Sequence, residues 1–98
     1  MERVIRIEVS PIKGEKYRAH VRGRTTRTVD FGASAYQQFK DSTRLKKYRH
    51  LDHNDPKRRR NYFMRHSGVA SKRQALARER AKSRGKITAK ILSHQYLW

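Results

Sequence analysis

The stretch Val4-Ile5-Arg6-Ile7-Glu8-Val9 decides the class of fold. Ile5, Ile7 and Val9 fall on one side of an extended chain and Arg6 and Glu8 on the other, the period of two of a half-buried strand. Such a strand needs partners, and the sequence supplies two. Pro11 to Lys16 holds Pro and Gly and reads as a turn, after which Tyr17, Ala19 and Val21 alternate with Arg18, His20 and Arg22. Gly23 breaks that pattern. Thr25 to Phe31 is then rich in β-branched residues, with Val29 and Phe31 inward, Thr28 and Asp30 outward, and Arg27 on the inward side. Short turns between three strands predict an antiparallel β-meander over residues 1–32.

From Gly32 onward the period changes to that of helices. Ser34 with Gln37 three residues later makes a capping box, which predicts a helix carrying Tyr36 and Phe39 on one face. Asp41, Ser42 and Thr43 offer a second start, with Leu45, Tyr48 and Leu51 at three-residue spacing, so two short helices or one kinked helix are expected here. Asp55 as N-cap and Pro56 at the first helical position open a further helix that Ser67-Gly68 ends. Ser71 and Gln74 open a segment running to Gly85 whose apolar residues, Ala75, Leu76, Ala77 and Ala81, make a weak stripe; its order is expected to depend on a partner. Thr88 caps a last short helix, with Ile87 and Leu92 at staple positions, and leads into Tyr96-Leu97-Trp98, an aromatic end that predicts docking.

The reading is therefore α+β: a single small basic domain over residues 1–98, with a three-stranded meander (1–32) followed by three or four short basic helices (33–98). The expected core is Ile5, Ile7, Val21, Val29, Phe31, Tyr36, Phe39, Leu45, Tyr48, Tyr62, Phe63 and Leu92. Leu, Ile, Val and Phe together make up fewer than a fifth of the residues, so that core is thin.

Charge carries the functional argument. The chain has 26 Lys and Arg against 8 Asp and Glu, a net +18. Residues 44–98 hold 17 of the bases and only 3 of the acids, so pairing within the chain cannot neutralise them. Lys57, Arg58, Arg59 and Arg60 sit in the first turn of a helix, where the dipole already places positive partial charge, and such a cluster asks for an anion. The candidate contacts to nucleic acid or an acidic partner are these four with Arg65, Lys72, Arg73, Arg78, Arg80, Lys82, Arg84 and Lys86; Tyr96, Leu97 and Trp98 are the candidate apolar docking residues.

Several classes fall away. With no cysteine there is no disulfide scaffold, thiol nucleophile or thiolate zinc site. No run of about 18 apolar residues offers a membrane span, and the alternating start is unlike a signal peptide. His50, Asp52, His53 and Asp55, with His66 near across a helix, raise a metal-site hypothesis, but their spacing fits no motif, Asp55 is a helix cap and neighbouring arginines repel a cation. The sequence reading assigns no metal, cofactor, small-molecule substrate or catalytic residue, and finds no Ser, His and acid arrangement for hydrolysis.

One resemblance bears on the setting. Lys16-Tyr17-Arg18-Ala19, Val29-Asp30-Phe31-Gly32-Ala33 with Tyr36, His53-Asn54-Asp55, Arg58-Arg59, Tyr62, Arg65-His66, Thr88-Ala89, Leu92-Ser93 and Leu97-Trp98 follow one another in an order that resembles a family of small basic proteins of large (nucleocytoplasmic) DNA viruses of algae and amoebae. The likeness covers residues 16–98 and departs from the family in the more basic stretch Ser67 to Lys86. It implies a virion setting, with host cytoplasm or nucleus during assembly, and supplies no catalytic residue. Two non-enzymatic expectations follow: a minor capsid or internal shell component that binds acidic surfaces of other virion proteins, or a nucleoprotein that binds and condenses DNA without sequence preference.

Overall fold

The alternating segments form three strands, β1 (Arg3–Val9), β2 (Glu15–Arg22) and β3 (Thr26–Ala33), in a computed structural model that describes all 98 residues. They make one antiparallel sheet in the order β1-β2-β3. Tyr17 opposes Phe31 and Ala19 opposes Val29, so the inward residues of β2 and β3 share one face. Between β1 and β2 the register runs Ile7 to Ala19 and Arg6 to His20, then jumps to Val4 opposite Val21. Ile5 is the extra residue of a β-bulge, and beyond it the alternation inverts. Val4 packs on the core with Ile7, whereas Ile5 is 46% exposed. The expected core position of Ile5 is thereby corrected; strict alternation cannot foresee a bulge.

The helices expected between Ser34 and Leu51 are absent, and a 3-10 turn at Arg49–Leu51 is the only helical piece there. Buried side chains take the backbone groups that a helix would use. The Asp41 carboxylate accepts from the Thr43 amide (3.0 Å) and hydroxyl (2.6 Å), the Tyr48 amide (3.2 Å) and the Tyr17 hydroxyl. Gln38 donates to the Tyr48 carbonyl (2.8 Å) and Asp52 (2.6 Å), and its own backbone bridges to Leu51 and His53. The segment is a loop pinned by polar side chains. As a result Tyr36 and Leu45, expected in the core, are exposed, while Phe39 and Tyr48 are half-buried.

Three α-helices follow: α1 (Pro56–Ser67), α2 (Lys72–Ser83) and α3 (Ala89–Tyr96). Asp55 accepts from the Lys57 and Arg58 amides, and Gly68 closes α1 in the left-handed conformation that only glycine adopts freely. Ser71 caps α2 and Thr88 caps α3 through the amides of Gln74 and Ile91. What fixes α2 is one small apolar residue, Ala75, and one buried carboxylate, Glu79.

The core has two parts. Tyr17, Ala19, Val21, Phe31, Leu92 and Leu97 form the larger, between sheet and α3; Tyr62, Phe63 and Ala75 form the smaller, between α1 and α2. Trp98 packs on both, its ring stacked on Tyr62 at 4.1 Å and 3°.

Candidate anion-binding groove

The helical caps and the loop determine which cations face outward. Lys57, Arg60 and Arg65 on α1, Arg73 and Arg80 on α2, and Arg84 and Lys86 beyond it are exposed, with no side-chain hydrogen bond or ion pair inside the chain. The remaining expected contacts are engaged. Arg59 donates to the Trp98 carbonyl at 2.7 Å, and its guanidinium lies 4.4 Å from the Phe39 ring centre. Lys72 donates to the Gln95 carbonyl (3.0 Å), Arg78 to the Ser67 carbonyl (3.1 Å) and Arg58 to Gln37 (2.9 Å), while Lys82 lies 3.6 Å from Glu79. Arg78, joined by Lys90 on the His66 carbonyl, covers the open end of α1, where cations suit the helix dipole. Arg59, Lys72 and Arg78 are therefore internal ties, a correction to their expected role as outward contacts.

A cavity of about 780 Å³ opens between β3, α1 and α3. Arg58, Tyr62, Arg65 and His66 line it from one side of α1, since Tyr62 lies four residues from both Arg58 and His66 and three from Arg65. Lys90 and Ser93 come from α3, Phe31 and Gly32 from β3, and Leu97 and Trp98 from the segment that follows α3. Gly32 has φ +80°, and a Cβ there would come within 2.8 Å of Leu97 Cδ1, so only glycine lets the floor close. Asp30 is already held by Arg18 (3.1 and 3.2 Å) and Ser10 (2.6 Å), Arg18 first keeping its carboxyl below the ordinary range. Lys16 is 2% exposed; its amine donates to the Tyr36 carbonyl (2.7 Å) and Gln38, and burial lowers its pKa to about 8, so it stays charged at neutral pH.

Behind the groove runs a buried polar chain that the sequence reading missed. Tyr62 Oη is 2.9 Å from His94 Nδ1, His94 Nε2 is 2.7 Å from Ser67 Oγ, and Ser67 Oγ is 2.8 Å from Glu79 Oε2. Burial pushes the Glu79 carboxyl up, but the Ser67 hydroxyl and the nearby Lys90 and Lys82 outweigh it and leave Glu79 ionised. Ser67 must then donate to Glu79 and accept from Nε2–H, which makes Nδ1 the acceptor of the Tyr62 proton. Burial holds His94 neutral, with its pKa lowered to about 4. A serine, a histidine and an acid do meet here. Their order is wrong for hydrolysis: the serine lies between the other two, its proton points at the carboxylate, and all three side chains are buried. The network ties α1, α2 and α3 together.

A smaller cavity of about 410 Å³ borders Glu2, Arg3, Arg80, Lys86 and Ile87. Glu2 meets the inward Arg27 through two bonds of 2.7 Å and accepts from the Ile87 amide at 2.8 Å; the bond from Arg27 leads in lowering its pKa to about 2. This pairing explains how Arg27 is accommodated on the inward face. Leu97 is buried in the core, and Tyr96 and Trp98 pack against it, so these docking residues cover the chain's own interior. Of the suspected metal ligands, Asp52 accepts from Gln38 and the Asp41 amide, His53 from the Asp55 amide, and Asp55 caps α1; no three His, Asp or Glu side chains are arranged to hold a metal ion. No helix is long and apolar enough to cross a membrane.

No protein-family model matches the chain, and neither a curated protein nor a solved structure does.

Proposed function

We propose that the chain is a non-enzymatic structural component of a large DNA virus, a minor capsid or internal shell protein that binds acidic surfaces of neighbouring proteins. The observation that carries this reading is the separation of two kinds of polar group. Tyr62, His94, Ser67 and Glu79 are joined in a buried hydrogen-bonded chain, whereas Lys57, Arg60, Arg73 and Arg84 are exposed and lack internal partners. Cations held at fixed places on a folded scaffold suit a patterned acidic surface, because matched charges set register and orientation. The virion setting rests on the family resemblance.

Binding and condensation of DNA is the second reading, favoured by the excess of 17 bases over 3 acids across residues 44–98. Against stacking on bases stands the burial of Tyr62, which Trp98, His66 and His94 surround. The distinguishing experiment is competition at about 0.15 M salt between polyglutamate and random-sequence duplex DNA for the folded protein. The protein-partner reading expects polyglutamate to hold its share. Displacement by DNA at equal charge concentration, with a steep dependence on salt, selects the nucleoprotein reading.

A further inference from the structure

We infer that the groove between β3, α1 and α3 is the seat of an extended acidic segment of the partner protein, carrying one apolar anchor side chain. This rests on the proposed binding of acidic proteins and names the place and the chemistry. The groove has a cationic rim and an apolar floor: Arg58, Arg65 and Lys90 on the helical side, Phe31, Leu97 and Trp98 below. At about 780 Å³ it falls in the size range of ligand sites, large enough for several groups at once.

Charge and geometry single out this occupant. Arg58 and Arg65 are seven residues apart on α1, about 10.5 Å along the axis at 1.5 Å per residue. In an extended chain of the polyproline II type, with three residues per turn and about 3.1 Å rise, acidic residues three apart lie on one face about 9 Å apart, and each guanidinium can grip a carboxylate with two parallel hydrogen bonds. Arg65 has no internal partner, and Arg58 is engaged only by the neutral Gln37. Of the two carboxylates that line the groove, Asp30 on β3 is already paired with Arg18, and Glu15 on β2 sets one negative charge against the rim. Lys90 is shared with Glu79 at 4.0 Å, so Arg58 and Arg65 are the cations left to hold the segment. Single-stranded nucleic acid fits less well. Its bases need open ring faces, and among the lining aromatics Tyr62 is buried and Trp98 is stacked on it, leaving Tyr36 as the open ring.

Trp98 is the sole tryptophan and lines the groove, so its fluorescence reports occupancy. The probe is a capped synthetic peptide, Asp-Asp-Leu-Asp-Asp, titrated into the full chain at about 0.15 M salt. The inference expects a saturable change in Trp98 emission, weakened at least about tenfold when Leu is replaced by Asn in the peptide and at least about tenfold in the R58Q/R65Q double variant. Thermal unfolding of that variant should match the parent, since neither arginine is buried. A second variant, A33E, adds a negative charge on the β3 side and should repel the peptide without touching α1. Binding of polyglutamate that leaves Trp98 unchanged, or that survives R58Q/R65Q, overturns the groove while leaving the general reading intact. Equal quenching by a short oligothymidylate, lost in the same double variant, gives the groove to nucleic acid and overturns the proposal.

Discussion

Ser67 Oγ accepts a hydrogen bond from His94 Nε2–H at 2.7 Å, a contact between the last residue of α1 and the last turn of α3. It fixes the tautomer of a fully buried imidazole and makes that imidazole intolerant of charge.

Acid should therefore loosen the helical half. His94 is protonated only below about pH 4 in the folded chain, but near its ordinary 6.5 once unfolded. Between those values the unfolded state binds more protons, so stability is complete above pH 6.5 and falls as the pH drops toward 4, by about 3 kcal/mol for this group. His53 and His66, also shifted down by burial, act in the same direction. Urea unfolding at pH 7.5 and pH 5 measures the loss, and H94Q should flatten much of the slope. An unchanged slope in H94Q would place the pH dependence elsewhere.

Two glycines with positive φ should respond differently to alanine. At Gly32 the new Cβ meets Leu97 and Lys16, so strain and a displaced core side chain add, for a loss of about 3 kcal/mol. At Gly85 nothing lies within 4 Å, and only the backbone preference remains, about 1 kcal/mol. Denaturant midpoints of G32A and G85A give the comparison, and equal losses would contradict the packing account.

The basic cluster at the start of α1 should divide in the same kind of test. R59Q breaks the bond to the Trp98 carbonyl and uncovers Phe39, so it should destabilise by about 1–2 kcal/mol. R60Q removes an exposed, unpartnered positive charge just past the first turn of α1 and should leave stability unchanged or raise it slightly. Thermal unfolding of the two single variants decides the matter.

Asp41 should be the most sensitive residue of the loop. D41A leaves the Tyr17 hydroxyl and the Thr43 and Tyr48 amides without their acceptor in a site that is 1% exposed. A loss of about 3 kcal/mol or more is expected, with Tyr48 released from its edge-on contact with Tyr17, which near-ultraviolet circular dichroism would register.

The same carboxylate shows where sequence reading succeeds and where it stops. The strands and the helix after Asp55-Pro56 were legible because their signals are local: alternation, a cap, a proline and a closing glycine. Asp41 looks like a cap to its neighbours, yet its decisive partner, Tyr17, is 24 residues back along the chain. Glu79 and His94 were invisible for the same reason. Each looked like one more polar residue of a basic helix until the fold placed Ser67 between them. The anion-contact set was legible as charge but not as geometry, since only tertiary structure separates Arg60, which faces water, from Arg59, which holds a carbonyl.

The central claim is that exposed, unpartnered cations on a self-sufficient fold hold an acidic protein surface. Its most direct test is the affinity of the K57Q/R60Q/R73Q/R84Q variant for polyglutamate at about 0.15 M salt, measured beside its thermal unfolding. The account predicts at least a tenfold loss of affinity with an unchanged Tm, because none of these side chains has an internal partner. Retained affinity, or a large fall in Tm, would contradict it.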